Sequence, residues 1–216
     1  MVSVRFPDPR DSTPEGIVAV GGRPDPDFLA GAYANGIFPW PVEGYPLLWF
    51  SPPERAILVF DELHVPRSLA RERRRTALRF TVDQAFERVI AACASAARPH
   101  EEGTWITPEM IRGYCEFRRR GGAHSVEAWE GEELVGGVYG VDAGGAFAGE
   151  SMFHLRPNAS KLALLFLIEH LKGRGLDWLD IQVLTPHTEA LGARLITRDE
   201  FLERLARARR RGLKLF

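Results

Sequence analysis

The 216-residue chain has only two cysteines, Cys93 and Cys115, and neither stands in a CxxC pair or at metal-ligand spacing to a histidine. That argues against a zinc site and for two small core residues of a reducing compartment. Long apolar runs are also missing. The longest, Leu162 to Ile168, is far short of the ~20 residues that span a bilayer. The opening residues, Met1 to Pro7, have no apolar stretch after a basic start. A cytoplasmic protein without a membrane partner is expected. Charge of one sign is not in excess either, with a net charge of −1 and a pI of about 6.6, so nothing global demands a polyanionic partner.

What is present is ordinary in amount, 45% hydrophobic and 26% charged, and gives core enough for one or two domains. The charge is unevenly placed. Arg67, Arg71, Arg73, Arg74, Arg75 and Arg79 crowd one stretch, Arg118 to Arg120 another, and Arg204 to Lys214 a third. Such clusters can hold phosphates in a salt-dependent way. Each can equally be a solvated helix face paired with nearby carboxylates.

The first fifty-odd residues are rich in Pro and Gly and read as turns joined by short elements, with a helix starting at Asp25 and stopped by Gly36. From Arg55 the pattern becomes regular. Residues 56–60 read as a strand, and residues 65–75, 82–94 and 108–119 as helices. Strands over 124–129, 134–141 and 146–151 form an antiparallel meander. The apolar helix 160–173 takes Ser160 as its N-cap and Gly173 as its stop. A strand at 176–183, a short helix from Pro186, a strand at 194–197 and a helix over 199–210 complete the chain. The order suits an α+β fold with a mixed sheet of the N-acyltransferase (GNAT-like) type. A small N-terminal α/β domain is expected over residues 1–60 and the catalytic domain over 61–216.

The usual donor on such a scaffold is an acyl-coenzyme A, whose pyrophosphate needs a glycine-rich turn opening a helix. Glycine is absent where that turn belongs, in Leu155-Arg156-Pro157-Asn158-Ala159-Ser160. Pro157 also removes an N–H donor. The loosely matching Arg118-Arg119-Arg120-Gly121-Gly122-Ala123 ends a helix and leads into a strand. A coenzyme A-dependent N-acetyltransferase is therefore the alternative reading, and its cradle is missing.

Several motifs occur in order: Gly31 to Trp40 (GAYANGIFPW), Leu48 to Pro52 (LWFSP), Ala123 to Trp129 (AHSVEAW), Leu134 to Gly140 (LVGGVYG), Gly149 to Phe153 (GESMF), Asn158 to Lys161 (NASK) and Leu191 to Ala193 (LGA). Together they resemble the leucyl/phenylalanyl-tRNA–protein transferase family, from about Asp8 to about Phe201. The resemblance implies a two-domain enzyme whose C-terminal part is acetyltransferase-like, with no metal or organic cofactor. It implies transfer of Leu, and less well Phe or Met, from aminoacyl-tRNA to the α-amino group of proteins beginning with Arg or Lys. The product enters an N-degron degradation route.

The reaction is aminolysis of an activated ester, so the enzyme must orient the amine, remove a proton and stabilise the oxyanion. Asp180 and Gln182 lie two apart on a predicted strand, on one side of the sheet. By the resemblance Gln182 contacts the attacking amine, with Asp180 as orienter or base; the terminal 2′-OH of the tRNA is an alternative proton carrier. Glu150 is the candidate partner for the basic acceptor residue. Met152 and Phe153 are candidate walls of the donor side-chain pocket, with Phe147, Leu164 and Ile168 as further walls or plain core. Trp49 and Trp105, in loop-like contexts, are candidate platforms for the terminal adenosine, whereas Trp40 reads as packing between the domains. Arg73, Arg74, Arg75 and Arg79 are the candidate phosphate contacts. Lys161 is either an anion partner or a solvated first-turn lysine. His154 stands where the family usually has serine, which would alter the acceptor subsite.

Overall fold

The computed structural model describes residues 4–96 and 104–216. Its N-terminal layer contains β1 (Ile17–Val20), α1 (Pro26–Ala34), β2 (Phe38–Trp40) and β3 (Leu48–Phe50), the strands forming an antiparallel sheet in the order β1-β3-β2. Helix α1 starts where its cap chemistry dictates. The Asp25 carboxylate accepts from the N–H groups of Asp27 and Phe28, and Pro26 occupies the first turn, where no N–H is needed. Gly36, at φ +74, releases the chain into β2. The layer closes over a ring cluster of Phe6, Phe28 and Trp49, with centroids 5.0 to 6.1 Å apart.

The second layer begins with β4 (Glu54–Val59), α2 (Arg67–Arg75), β5 (Arg79–Val82), α3 (Phe86–Ser95) and α4 (Pro108–Arg119). It continues through β6 (Ala123–Glu130), β7 (Glu133–Asp142), β8 (Phe147–His154) and α5 (Ala159–Gly173). It ends with β9 (Trp178–Gln182), α6 (Pro186–Glu189), β10 (Arg194–Thr197) and α7 (Arg198–Arg211). Its strands form one seven-stranded mixed sheet in the order β10-β4-β9-β8-β7-β6-β5. Every neighbouring pair is antiparallel except β8 and β9, which run parallel and are joined by α5 as the crossover.

Helices cover both faces, and the glycines of β7 show how closely. A Cβ on Gly136 would lie 2.7 Å from Ala159 Cβ, so α5 presses on that face; a Cβ on Gly137 would meet Phe153 and Val89 of α3 on the other. On the α3 side the fully buried Glu127 accepts from Thr81 Oγ1 and Ser125 Oγ at 2.5 Å each. It also accepts from the N–H groups of Gln84 and Ala85, tying β5 and β6 to the start of α3.

Four expectations change. Strand β4, assigned to the N-terminal unit by a boundary at residue 60, hydrogen-bonds between β10 and β9 in the large sheet. The layers therefore part before Glu54. Residues 79–82 form a strand, followed by Asp83 at φ +60, so the helix expected from Val82 begins at Phe86. Strand β8 continues through His154 rather than ending at Ser151. Ser160 is not the cap of α5: it is buried in the first turn, and Asn158, at φ +61, holds the cap position and donates to Glu72 Oε2 at 2.6 Å. Among the described residues no helix is long and apolar enough to cross a membrane.

Candidate active site

The site lies where β8 and β9 part. Their parallel register holds at Ala148 opposite Asp180. Two residues further along each strand, Glu150 and Gln182 meet across the opening, Gln182 Nε2 donating to Glu150 Oε1 at 2.6 Å. Two bulges aim these side chains. On β8, Gly149 pairs with Gly140 and Ser151 with Tyr139, leaving Glu150 as the extra residue. On β9, Asp180 pairs with Ile57 and Gln182 with Ala56, leaving Ile181 as the extra residue. A bulge turns a side chain out of strict alternation, which is how a sheet delivers two polar groups to one gap.

Glu150 is half-buried and sits in a cage of neutral donors. Tyr114 on α4 donates from its hydroxyl to Glu150 Oε2 at 3.2 Å, and Tyr33 on α1 lies 2.5 Å from the Tyr114 oxygen. Burial pushes the Glu150 carboxyl up to about 7. The charge of Asp180 adds to that, while hydrogen bonds from Tyr33, Tyr114 and Gln182 oppose it. Burial, with the charge of Glu150, also pushes both tyrosine hydroxyls well above their ordinary range, so they remain donors. The site thus holds a carboxyl poised near neutrality.

Asp180 does not stand beside Gln182 as a second acid facing the gap. Arg55 grips it from behind, Nε to Oδ1 at 2.8 Å and Nη2 to Oδ2 at 2.7 Å. Asp180 Oδ1 also accepts from the backbone N–H of Gln182 at 2.9 Å. Both oxygens are engaged, which suits an orienting group better than a base. Regular alternation cannot describe the pair, because the register slips between them and Gln182 stands at φ +62.

The apolar candidates divide by face. Phe147 and Met152 pair with Asp142 and Val138 of β7, two residues of equal parity, on the side against which α5 buries Leu164 and Ile168. Phe153 is on the opposite face, against α3. Met152 and Phe153 therefore do not share one wall, since adjacent strand residues point apart.

Among the aromatic candidates Trp49 is a correction. It is 0% exposed, with its Nε1 donating to Gly21 O at 2.8 Å, and no base can reach it. Trp105 is half-exposed and stacks on half-exposed Trp40, with centroids 5.8 Å apart and planes at 15°.

The basic stretch also divides. Arg79 lies over the Trp129 ring and Arg73 is 3.9 Å from Glu169. Arg67, Arg71 and Arg74, spaced to share a helical face, line a cavity of about 430 Å³ on α2. Arg75 is exposed at the end of that helix. His154 is exposed at the end of β8, four residues beyond Glu150. Burial, then the charges of Lys161 and His154, holds His187 below its ordinary range.

The reading of the sequence missed Arg55, Tyr33 and Tyr114. Tyr33 was visible inside the Gly31–Trp40 motif. Tyr114 reads as the apolar face of α4, and Arg55 as the polar start of a strand. Ala159 and Ser160 are buried against β7, and the Ala159 N–H donates to Arg156 O at 3.2 Å. Among the described residues no cluster of three or more His, Cys, Asp or Glu could hold a metal ion.

A mixed sheet of this order, opened between two parallel strands, is of the N-acyltransferase (GNAT-like) type. Comparison with known proteins narrows the class. Residues 57–206 match the profile described as leucyl/phenylalanyl-tRNA protein transferase, and residues 22–53 match the profile of that enzyme's N-terminal domain. The chain belongs to the leucyl/phenylalanyl-tRNA–protein transferase family. A relative of that name from Anaeromyxobacter sp. (strain K) is 53% identical over 203 residues, covering 94% of this chain and 87% of its own length. Another, from Maridesulfovibrio salexigens, is 48% identical over 204 residues, covering 94% and 85%. A solved ribosomal-protein-alanine N-acetyltransferase from Brucella melitensis biovar Abortus 2308 aligns over 53% of this chain and 86% of its own. Its identity is 18% and its TM-score 0.35.

Proposed function

We propose that the chain transfers Leu, and less well Phe or Met, from aminoacyl-tRNA to the α-amino group of proteins beginning with Arg or Lys, giving products destined for an N-degron route. Family membership supports the transfer of an aminoacyl group from tRNA to protein. The observation that carries the assignment of roles is the 2.6 Å contact between Glu150 and Gln182 at the parting of β8 and β9.

With its Nε2 spent on Glu150, Gln182 keeps its carboxamide oxygen for the incoming amine. Glu150, ionised above about pH 7, draws the cationic acceptor into the gap. Asp180, held by Arg55, orients Gln182 rather than taking the proton. The acceptor nitrogen attacks the ester carbonyl, a C–N bond forms, and the ester C–O bond breaks. The terminal ribose hydroxyl leaves carrying a proton, for which the neighbouring 2′-OH is the nearest carrier.

Half-buried Met152, on the α5 face, is the best candidate for contact with the donor side chain, whereas Phe147 is fully buried and is plain core. The Trp40–Trp105 pair, half-exposed and already stacked, suits a terminal base as a third ring. Arg67, Arg71 and Arg74 suit phosphates.

The test is transfer of radiolabelled Leu from Leu-tRNA to reporters beginning with Arg, Lys, Asp, Glu or Met. Label is expected on Arg and Lys starts only. Label on Asp or Glu starts overturns the acceptor assignment, and no label on any start overturns the function.

A further inference from the structure

Arg55 is a charge buried to 1% exposure, outside the sequence motifs that carry the family resemblance. Its fork is filled by Asp180, and its Nη1 reaches Gly36 O at 3.4 Å. The guanidinium carbon sits 4.5 Å from the centroid of Phe38 on one side and 4.5 Å from that of Phe201 on the other. Three elements thus hold one cation: β4 carries it, β2 supplies one ring and α7 the other.

Stability alone is a poor reason for such a pair, because apolar residues of similar volume often serve as well in a buried position. What apolar residues would not do is accept the Gln182 N–H. That N–H belongs to a tight turn, closed by Val183 N–H donating to Ile181 O at 2.7 Å, with Gln182 itself at φ +62. A non-glycine residue in that conformation is strained and persists only where its surroundings over-determine it. Here the over-determination comes from Asp180 Oδ1, and Asp180 is fixed by Arg55.

We infer that Arg55 is a positioning residue for aminoacyl transfer. Through Asp180 it locks the turn that aims the Gln182 carboxamide into the gap, and the Phe38–Phe201 clamp makes that lock depend on the N-terminal layer. The inference rests on the role proposed for Gln182. A planar fork is needed for the lock; a lysine keeps the charge but presents one point donor.

The experiment is a double-mutant cycle on the full chain, with kcat and KM for Leu-tRNA measured in the parent, Arg55→Lys, Gln182→Ala and the double variant. Arg55→Lys is expected to lower kcat by about tenfold or more while KM changes less than about threefold. In the Gln182→Ala background the same change is expected to cost less than about twofold, because the group it aims is gone. A full tenfold loss in that background means Arg55 acts elsewhere and overturns the inference. An unchanged kcat in Gln182→Ala alone overturns the role of Gln182 instead. If Arg55→Lys does not fold by circular dichroism, Phe201→Leu, which removes one ring and leaves the ion pair, carries the same cycle. It is expected to lower kcat about threefold only when Gln182 is present, and an equal effect in both backgrounds overturns the clamp.

Discussion

The surroundings of Glu150 move its titration to near neutrality. Its carboxyl is raised to about 7, mainly by burial, against about 4.3 for an unfolded glutamate. The folded state therefore binds the proton more tightly than the unfolded state. The stability this group contributes is complete below about pH 4.3 and is lost as pH rises through about 7. On the role proposed for Glu150, activity is expected to follow the opposite course, because the ionised form is the one that attracts an ammonium. The ratio of parent to Glu150→Gln transfer rates should rise by about tenfold between pH 6 and pH 8; the acceptor's own titration cancels in that ratio. Urea melts should show the parent losing stability relative to Glu150→Gln over the lower interval, between about pH 4.3 and 7. A rate ratio that does not change with pH would remove Glu150 from the acceptor step. The sequence singles out Glu150 within the Gly149–Phe153 motif and Gln182 by its spacing to Asp180 and the resemblance, and the structure brings the two side chains together. Arg55 was not legible there: its partner is 125 positions away, and one arginine before an apolar strand carries no signal of what lies behind it.

At the scale of elements, much was legible where local chemistry decides. Helix α4 has Thr107 as its cap and Pro108 in its first turn, and its bounds agree with the expected ones. Strand β10 also spans the expected residues. Elements set by partners were less so. Strand β5 is four residues of mixed character, made a strand by pairing with β6. The extension of β8 past Ser151 comes from β7 alongside. The packing of α5 on β7 belongs to the same class, since Gly136 leaves room for the first turn of the helix. A Cβ there would stand 3.0 Å from Ala159 C and 3.1 Å from Ser160 N. Gly136→Ala should therefore push α5 off the sheet and cost about 1–3 kcal/mol, read as a lower denaturation midpoint in urea. A variant with an unchanged midpoint would show that the helix shifts freely.

At the scale of the whole molecule, the N-terminal layer is part of the site rather than an appendage to it. Tyr33 completes the cage of Glu150, Phe38 backs Arg55, and Trp40 meets Trp105. The sequence suggested two units and placed their boundary a strand too late, because an apolar run such as residues 56–60 does not say which sheet receives it. The surface charge sorts at this scale too. Arg73 and Arg79 have partners within the chain, whereas Arg67, Arg71 and Arg74 face one cavity. Replacing Arg71 or Arg74 by Ala should weaken tRNA binding and reduce the slope of log K against log salt by about 0.7–0.9 for each phosphate left without its arginine. Replacing Arg73 should change the slope less, and equal slopes for all three variants would move the phosphate path elsewhere.

The paired bulges on β8 and β9 have a consequence for how this site can be built or lost. Each is a single added residue that advances the rest of its strand by one position. No substitution reproduces that step. On β8 the added residue is Glu150 itself, so its deletion takes the acid away with the bulge. On β9 it is Ile181, and deleting it would leave Gln182 opposite Ala56 but remove the bulge beside which Gln182 turns at φ +62. Grafting this chemistry onto another acyltransferase sheet is thus a problem of insertion: one residue into each of two parallel neighbours, before any side chain is chosen.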